Sequence, residues 1–194
     1  MKIYALQGKS NIGKTFTLKT AIYELLKRFD AELELYEKLK KDNSIKCVPL
    51  HKTMSADELK KQLEKEKAEL EKFNIREGYA PNIKNIAGLV KINGKTIAVN
   101  VAGDNEEEIG LSIAFLTNIE IDVLICAVHT SGVTIEKLNE YCKSKGLIHG
   151  KDCFVIAKTY WNNYGKEIKV SPVIFDLCNL QAEWLVKTVT SLVE

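Results

Sequence analysis

The stretch KIYALQGKSNIGKTFTLKTAIYELL, Lys2 to Leu26, constrains the fold more than any other part of the chain. A short apolar run leads into a glycine-bounded loop. Phe16, Leu18, Ile22, Leu25 and Leu26 then recur at helical spacing. Strand, loop and helix therefore follow one another, with Gly8 and Gly13 at the two ends of the loop. Glycine tolerates the φ values that let successive backbone N–H groups turn inward, so such a loop forms a concave nest for an anion. The helix that starts near Gly13 adds the positive end of its dipole. Lys14 brings a mobile charge and Thr15 a hydroxyl suited to Mg²⁺. The residues expected at a phosphate are Gly8, Lys9, Ser10, Asn11, Ile12, Gly13, Lys14, Thr15 and Phe16.

On Gly8, Gly13, Lys14 and Thr15 the chain resembles the P-loop NTPase superfamily, whose Walker A loop has this form. The resemblance is strong over the first thirty or so residues and holds only in outline beyond them. It implies a three-layer α/β P-loop fold, bound nucleotide and Mg²⁺.

The remaining chain fits one such domain over residues 1–194, with a helical insertion around 52–80. From Ser55 to about Phe73, Ser55 and Glu58 stand at capping-box spacing, and Leu59, Leu63, Leu70 and Phe73 make a stripe too narrow for more than a solvated surface helix, a lid or a partner-binding helix. Asn93-Gly94 between two β-rich runs signals a hairpin. Helices follow at about 106–117, 134–145 and 180–193, with strands from Ile121 and Asp152. The alternation predicts a mostly parallel sheet with one antiparallel hairpin strand, covered on both faces. The stretch from Ala31 to His51 stays open between an extension of the first helix and a short strand at IKCVPL.

In open α/β sheets ligands sit beyond the carboxyl ends of the strands. Three such ends carry polar residues: Asn100 to Asp104, His129 to Gly132 and Lys158 to Asn163. The first, NVAGD, looks like the D-x-x-G region of small GTPases, with Asn100 in place of the acid and Gly103 in register. Asn100 can accept a hydrogen bond from a metal-bound water but adds no charge. Asp104 is the nearest carboxylate, expected to hold Mg²⁺ through water, with Glu106 foremost among Glu106, Glu107 and Glu108 for orienting an attacking water. The structural alternative makes Asp104 the cap of the next helix, with the glutamates favourable at its dipole. His129 and Lys158 are further candidates for phosphate or base contacts, and Asn100 and Gly103 belong with them.

GTPases resemble one another in an N/T-K-x-D motif that reads guanine. Here Ala157, Lys158, Thr159 and Tyr160 stand in that place, so the acid is missing and ATP becomes the expected nucleotide over GTP. Only Arg28 and Arg76 are available to neutralise a transferring phosphoryl group, which counts against a small-molecule kinase. The expectation is a slow Mg²⁺-dependent ATPase acting as a conformational switch, with catalytic roles for Lys14, Asp104 and Glu106. A non-hydrolysing nucleotide-binding module and a kinase stand as alternatives.

Lys and Arg number 28 against 26 Asp and Glu, a balance that makes no case for nucleic acid or an anionic membrane. A protein partner or self-association stays open. No apolar run approaches the ~20 residues of a membrane span, and the amino terminus reads as a strand instead of a leader. The expectation is a cytoplasmic protein with its five cysteines reduced, Cys126 and Cys153 in core strands, and no cysteine metal site.

Overall fold

The structure, a computed structural model, describes residues 1–8, 13–42, 44–72, 84–157 and 172–194. The elements in chain order are β1 Lys2–Gln7, α1 Lys14–Phe29, β2 Leu33–Lys41, β3 Ser44–Met54, α2 Ala56–Lys72, β4 Ala87–Ile92, β5 Lys95–Asn100, α3 Glu106–Asn118, β6 Val123–Val128, α4 Val133–Ser144, β7 Cys153–Ala157 and α5 Pro172–Val193. The strands form one mixed sheet in the order β3-β2-β4-β5-β6-β1-β7. Within it β5, β6, β1 and β7 run parallel, while β5–β4, β4–β2 and β2–β3 pair antiparallel.

The period of two along each strand divides the core. Tyr4, Leu6, Ile97 and Val99 face the layer of α1, α2 and α5, and Ile3, Ala5, Ala98 and Leu124 face α3 and α4. Both faces of the central strands are apolar, as a sheet covered by helices on two sides requires. The Asn93-Gly94 turn has φ of 50° and 77°, the left-handed values of a tight hairpin, and joins Ile92 to Lys95 in register.

The antiparallel share is larger than expected, because the stretch after α1 forms a second hairpin, β2–β3, instead of prolonging the helix. Leu33 and Leu35 are its buried positions, and beyond Tyr36 the strand turns lysine-rich and exposed, which hid the alternation. α5 begins at Pro172, eight residues before the expected start. Proline suits a first helical position, where the missing N–H has no partner to lose.

α2 departs from the expected solvated helix. Its capping box forms, with Ser55 N donating to Glu58 Oε2 at 2.8 Å and Glu58 N donating to Ser55 Oγ at 3.3 Å. Leu59 and Leu63 are buried against α1, and at the next position of the same face Glu66 is 4% exposed. Its Oε1 accepts from Lys19 Nζ of α1 at 2.5 Å, and Lys19 is fully buried. The stripe looked thin because one of its core positions is a carboxylate. Phe73 lies outside the described residues.

Candidate phosphate site at the start of α1

Lys9 to Ile12 lie outside the described residues, and the loop is seen from its two ends. Gly8 N donates to Val128 O at 3.1 Å, tying the exit of β1 to the end of β6. Gly13, at φ 80°, occupies the N-cap position of α1 in the left-handed conformation that glycine adopts without strain. Lys14 is the first residue of the helix and is 4% exposed. Its Nζ donates to Gly8 O and to Asp104 Oδ1, each at 2.8 Å. Thr15 Oγ1 lies 3.4 Å from Val101 O, a long contact. The Phe16 ring turns into the core, edge-on to Phe175 with centroids 5.1 Å apart.

Asp104 reaches Lys14 from a strand that is not its neighbour, since β6 lies between β5 and β1. The chain after β5 has to cross over β6, and Gly103 is where it does so. A Cβ built there would stand 1.9 Å from Ala127 O and 2.3 Å from Ala127 C. No side chain fits between loop and strand.

Asn100 serves that crossing. It is 1% exposed, and its Nδ2 donates to Glu108 O at 2.8 Å and to Ser112 Oγ at 2.9 Å, while its Oδ1 accepts from Ala102 N at 3.2 Å. Both amide protons are committed to α3, so this side chain is a strut between the loop of residues 101–104 and the helix. An aspartate could not donate these two bonds.

The capping alternative for Asp104 does not hold. The N-cap of α3 is Asn105, whose Oδ1 accepts from Glu108 N at 3.0 Å, while Glu108 Oε2 accepts from Asp104 N at 2.6 Å. With its backbone fixed in this way, Asp104 is left to direct its carboxylate, 43% exposed, at Lys14.

The three glutamates are engaged elsewhere. Glu106 pairs with Lys137 of α4, and Glu107 accepts from Lys38 and Lys40 of β2 at 2.8 and 3.1 Å. Hydrogen bonds from these lysines hold both carboxyls below the usual range. Glu108 also accepts from Asn85 Nδ2 at 3.4 Å. Glu106, expected to orient a water, is thus brought to α4 and not to Lys14.

His129 follows β6 and is bound locally, with Nδ1 3.3 Å from Ser131 O and its backbone N donating to Thr134 Oγ1 at 2.8 Å. Lys158 and the aromatic residues Tyr160, Trp161 and Tyr164 lie outside the described residues. All five cysteines are free thiols, and burial pushes that of Cys126 up to about 12. Among the described residues no three His, Cys, Asp or Glu side chains are grouped to hold a metal ion, and no helix is long and apolar enough to cross a membrane.

The structure therefore joins Gly8, Lys14, Asp104 and, by a longer contact, Thr15 with the loop of residues 101–104. It sets Asn100, Glu106 and His129 on other contacts. Sequence reasoning missed the Lys19–Glu66 pair, whose signal was the register of Glu66 with Leu59 and Leu63, and the lysine clamps of β2, which left no local signal. No protein-family model matches the chain, and no curated protein or solved structure matches it either.

Proposed function

We propose that the chain is a P-loop nucleotide-binding protein of three-layer α/β architecture, acting in the cytoplasm as a slow Mg²⁺-dependent ATPase whose occupancy sets its conformation. The observation that carries this reading is the buried Lys14 ammonium in the first turn of α1, held by Asp104 at the carboxyl ends of parallel strands. A cation is disfavoured at the positive end of a helix dipole, and the first turn of α1 holds no acidic residue. That of α3 holds Glu106, Glu107 and Glu108. The start of α1 suits an anion from outside the helix, and a phosphate group beside Lys14 is the reading this supports.

Bound Mg²⁺ supplies positive charge to the phosphate oxygens. Thr15 and Asp104 are the residues that would hold it, Asp104 through water. With nucleotide bound, Lys14 would pair with the phosphate oxygens, and the Asp104 carboxylate would be free to hold a metal-bound water. Asn100 and Gly103 keep the loop that carries Asp104 in place. The preference for ATP rests on Tyr160, where guanine-binding proteins have an acid.

Asp104→Asn tests the assignment. Its phosphate release is expected to fall about tenfold or more, a loss of ~1.4 kcal/mol in transition-state stabilisation, with a smaller change in ATP affinity and the fold retained. Unchanged turnover would remove Asp104 from the reaction. The engagement of Glu106, Glu107 and Glu108 favours a second reading, a module that binds nucleotide without hydrolysing it. In that case phosphate release from the wild type stays at background over hours.

A further inference from the structure

The Lys19–Glu66 pair lies outside the site described above, and its bonding is incomplete. Lys19 Nζ and Gln62 Nε2 both donate to Glu66 Oε1, at 2.5 and 3.0 Å. Oε2 is buried and has no hydrogen-bond partner among the described residues. Burial lowers the Lys19 pKa, and the bond from Glu66 offsets part of that shift. A buried ionic network with a missing partner is the least secure kind of contact, because opening returns water to both charges at once.

We propose that α2 is a flap hinged on Leu59 and Leu63 and latched by Lys19 and Glu66 against the helix that follows the phosphate loop. The first half of α2 is fastened by the Ser55–Glu58 cap and by two buried leucines. Its second half is fastened by charges, with Leu70 only partly covered. After Glu66 comes Lys67, whose Nζ stands 5.2 Å over the Phe175 ring. Phe175 in turn packs on Phe16, two residues after Lys14, and Cys178 Sγ lies 3.9 Å from Gly13 O. Lys19 is one turn beyond Thr15 on the same face of α1. One hold on this half of the flap therefore ends on α1 at Lys19, and the other reaches α1 through Phe175 of α5. A groove of about 590 Å³ runs between α1, α2 and α5, with Phe16, Leu63, Lys67 and Phe175 among its lining residues, and release of the latch widens it. A phosphate that draws Lys14 and the first turn of α1 inward shifts the latch, so the flap reports nucleotide occupancy. This second half of the proposal rests on the nucleotide reading, and the first half does not.

Hydrogen exchange on the full chain tests both halves, using wild type, Lys19→Met/Glu66→Leu and Gln62→Ala. The apolar pair removes the hydration that rewards opening. Amides of residues 64–72 are then expected to exchange at least about tenfold more slowly, with a smaller change in the central strands. Gln62→Ala keeps both charges and removes one donor. It is expected to speed the same amides by at least about threefold, which decides the matter if the double variant does not fold. Rates unchanged in the variants that fold, or a change of the same size throughout the protein, would overturn the latch. Adding ATP and Mg²⁺ is expected to alter exchange in residues 64–72 of the wild type and not in the double variant. Calorimetric ATP binding without that response overturns the coupling. Absence of ATP binding overturns the nucleotide reading and the coupling with it, while the nucleotide-free comparison still decides the latch.

Discussion

Glu66→Leu is expected to lower the stability of the protein by about 3–5 kcal/mol, because it leaves a fully buried ammonium without its carboxylate. The size follows from asymmetry. The attraction within a buried pair is largely cancelled by the desolvation of both ions, so the intact pair contributes little net stability. Removing one member exposes the whole desolvation cost of the other. For the same reason Lys19→Met/Glu66→Leu is expected to be neutral or stabilised, by up to about 4 kcal/mol. Opening the α2 flap differs from the single substitution, since opening hydrates both charges and strands neither. Urea unfolding of wild type, the single variant and the double variant measures these terms. A single variant as stable as wild type would mean that Lys19 reaches water or another partner.

The second large effect is expected from Gly103→Ala. The added Cβ would overlap the Ala127 carbonyl of β6, a backbone atom that cannot rotate away, so the loop has to lift. Overpacking of this kind costs about 1–3 kcal/mol in stability. Phosphate release is expected to fall about tenfold or more, as in Asp104→Asn, because the lifted loop carries Asp104 off Lys14 while Asn100 still holds the other end of the crossing to α3. Thermal melts together with phosphate-release assays separate the two losses. A variant with unchanged melting temperature and unchanged turnover would show that the loop does not rest on β6.

The strand before Gly8, the helix after Gly13, the Asn93-Gly94 hairpin and the Ser55–Glu58 cap were legible because each is written within a few neighbouring residues. The β2–β3 hairpin was not. Its outer half is dominated by lysine and glutamate, residues that favour helices in isolation, and what keeps it extended is the pairing of β2 with β3 and the hold of Glu107 on Lys38 and Lys40. Asn100 read as a weakened metal ligand because its spacing to Gly103 was visible and its hydrogen bonds to α3 were not. The insertion of β6 between β5 and β1 is a property of the whole sheet that no local pattern encodes. It is also why the contact to Lys14 comes from Asp104, past the crossing at Gly103, since the end of β5 itself is separated from β1 by β6.

The central claim is that Lys14 and the residues around it bind nucleotide phosphates. Isothermal calorimetry with ATP and Mg²⁺, and with GTP in parallel, on wild type and Lys14→Ala tests it most directly. The account predicts saturable binding of ATP, weaker binding of GTP, and a loss of at least ~1.5–3 kcal/mol in the variant, more than tenfold in affinity. Equal affinities in the two proteins, or no binding of either nucleotide to the wild type, would contradict it.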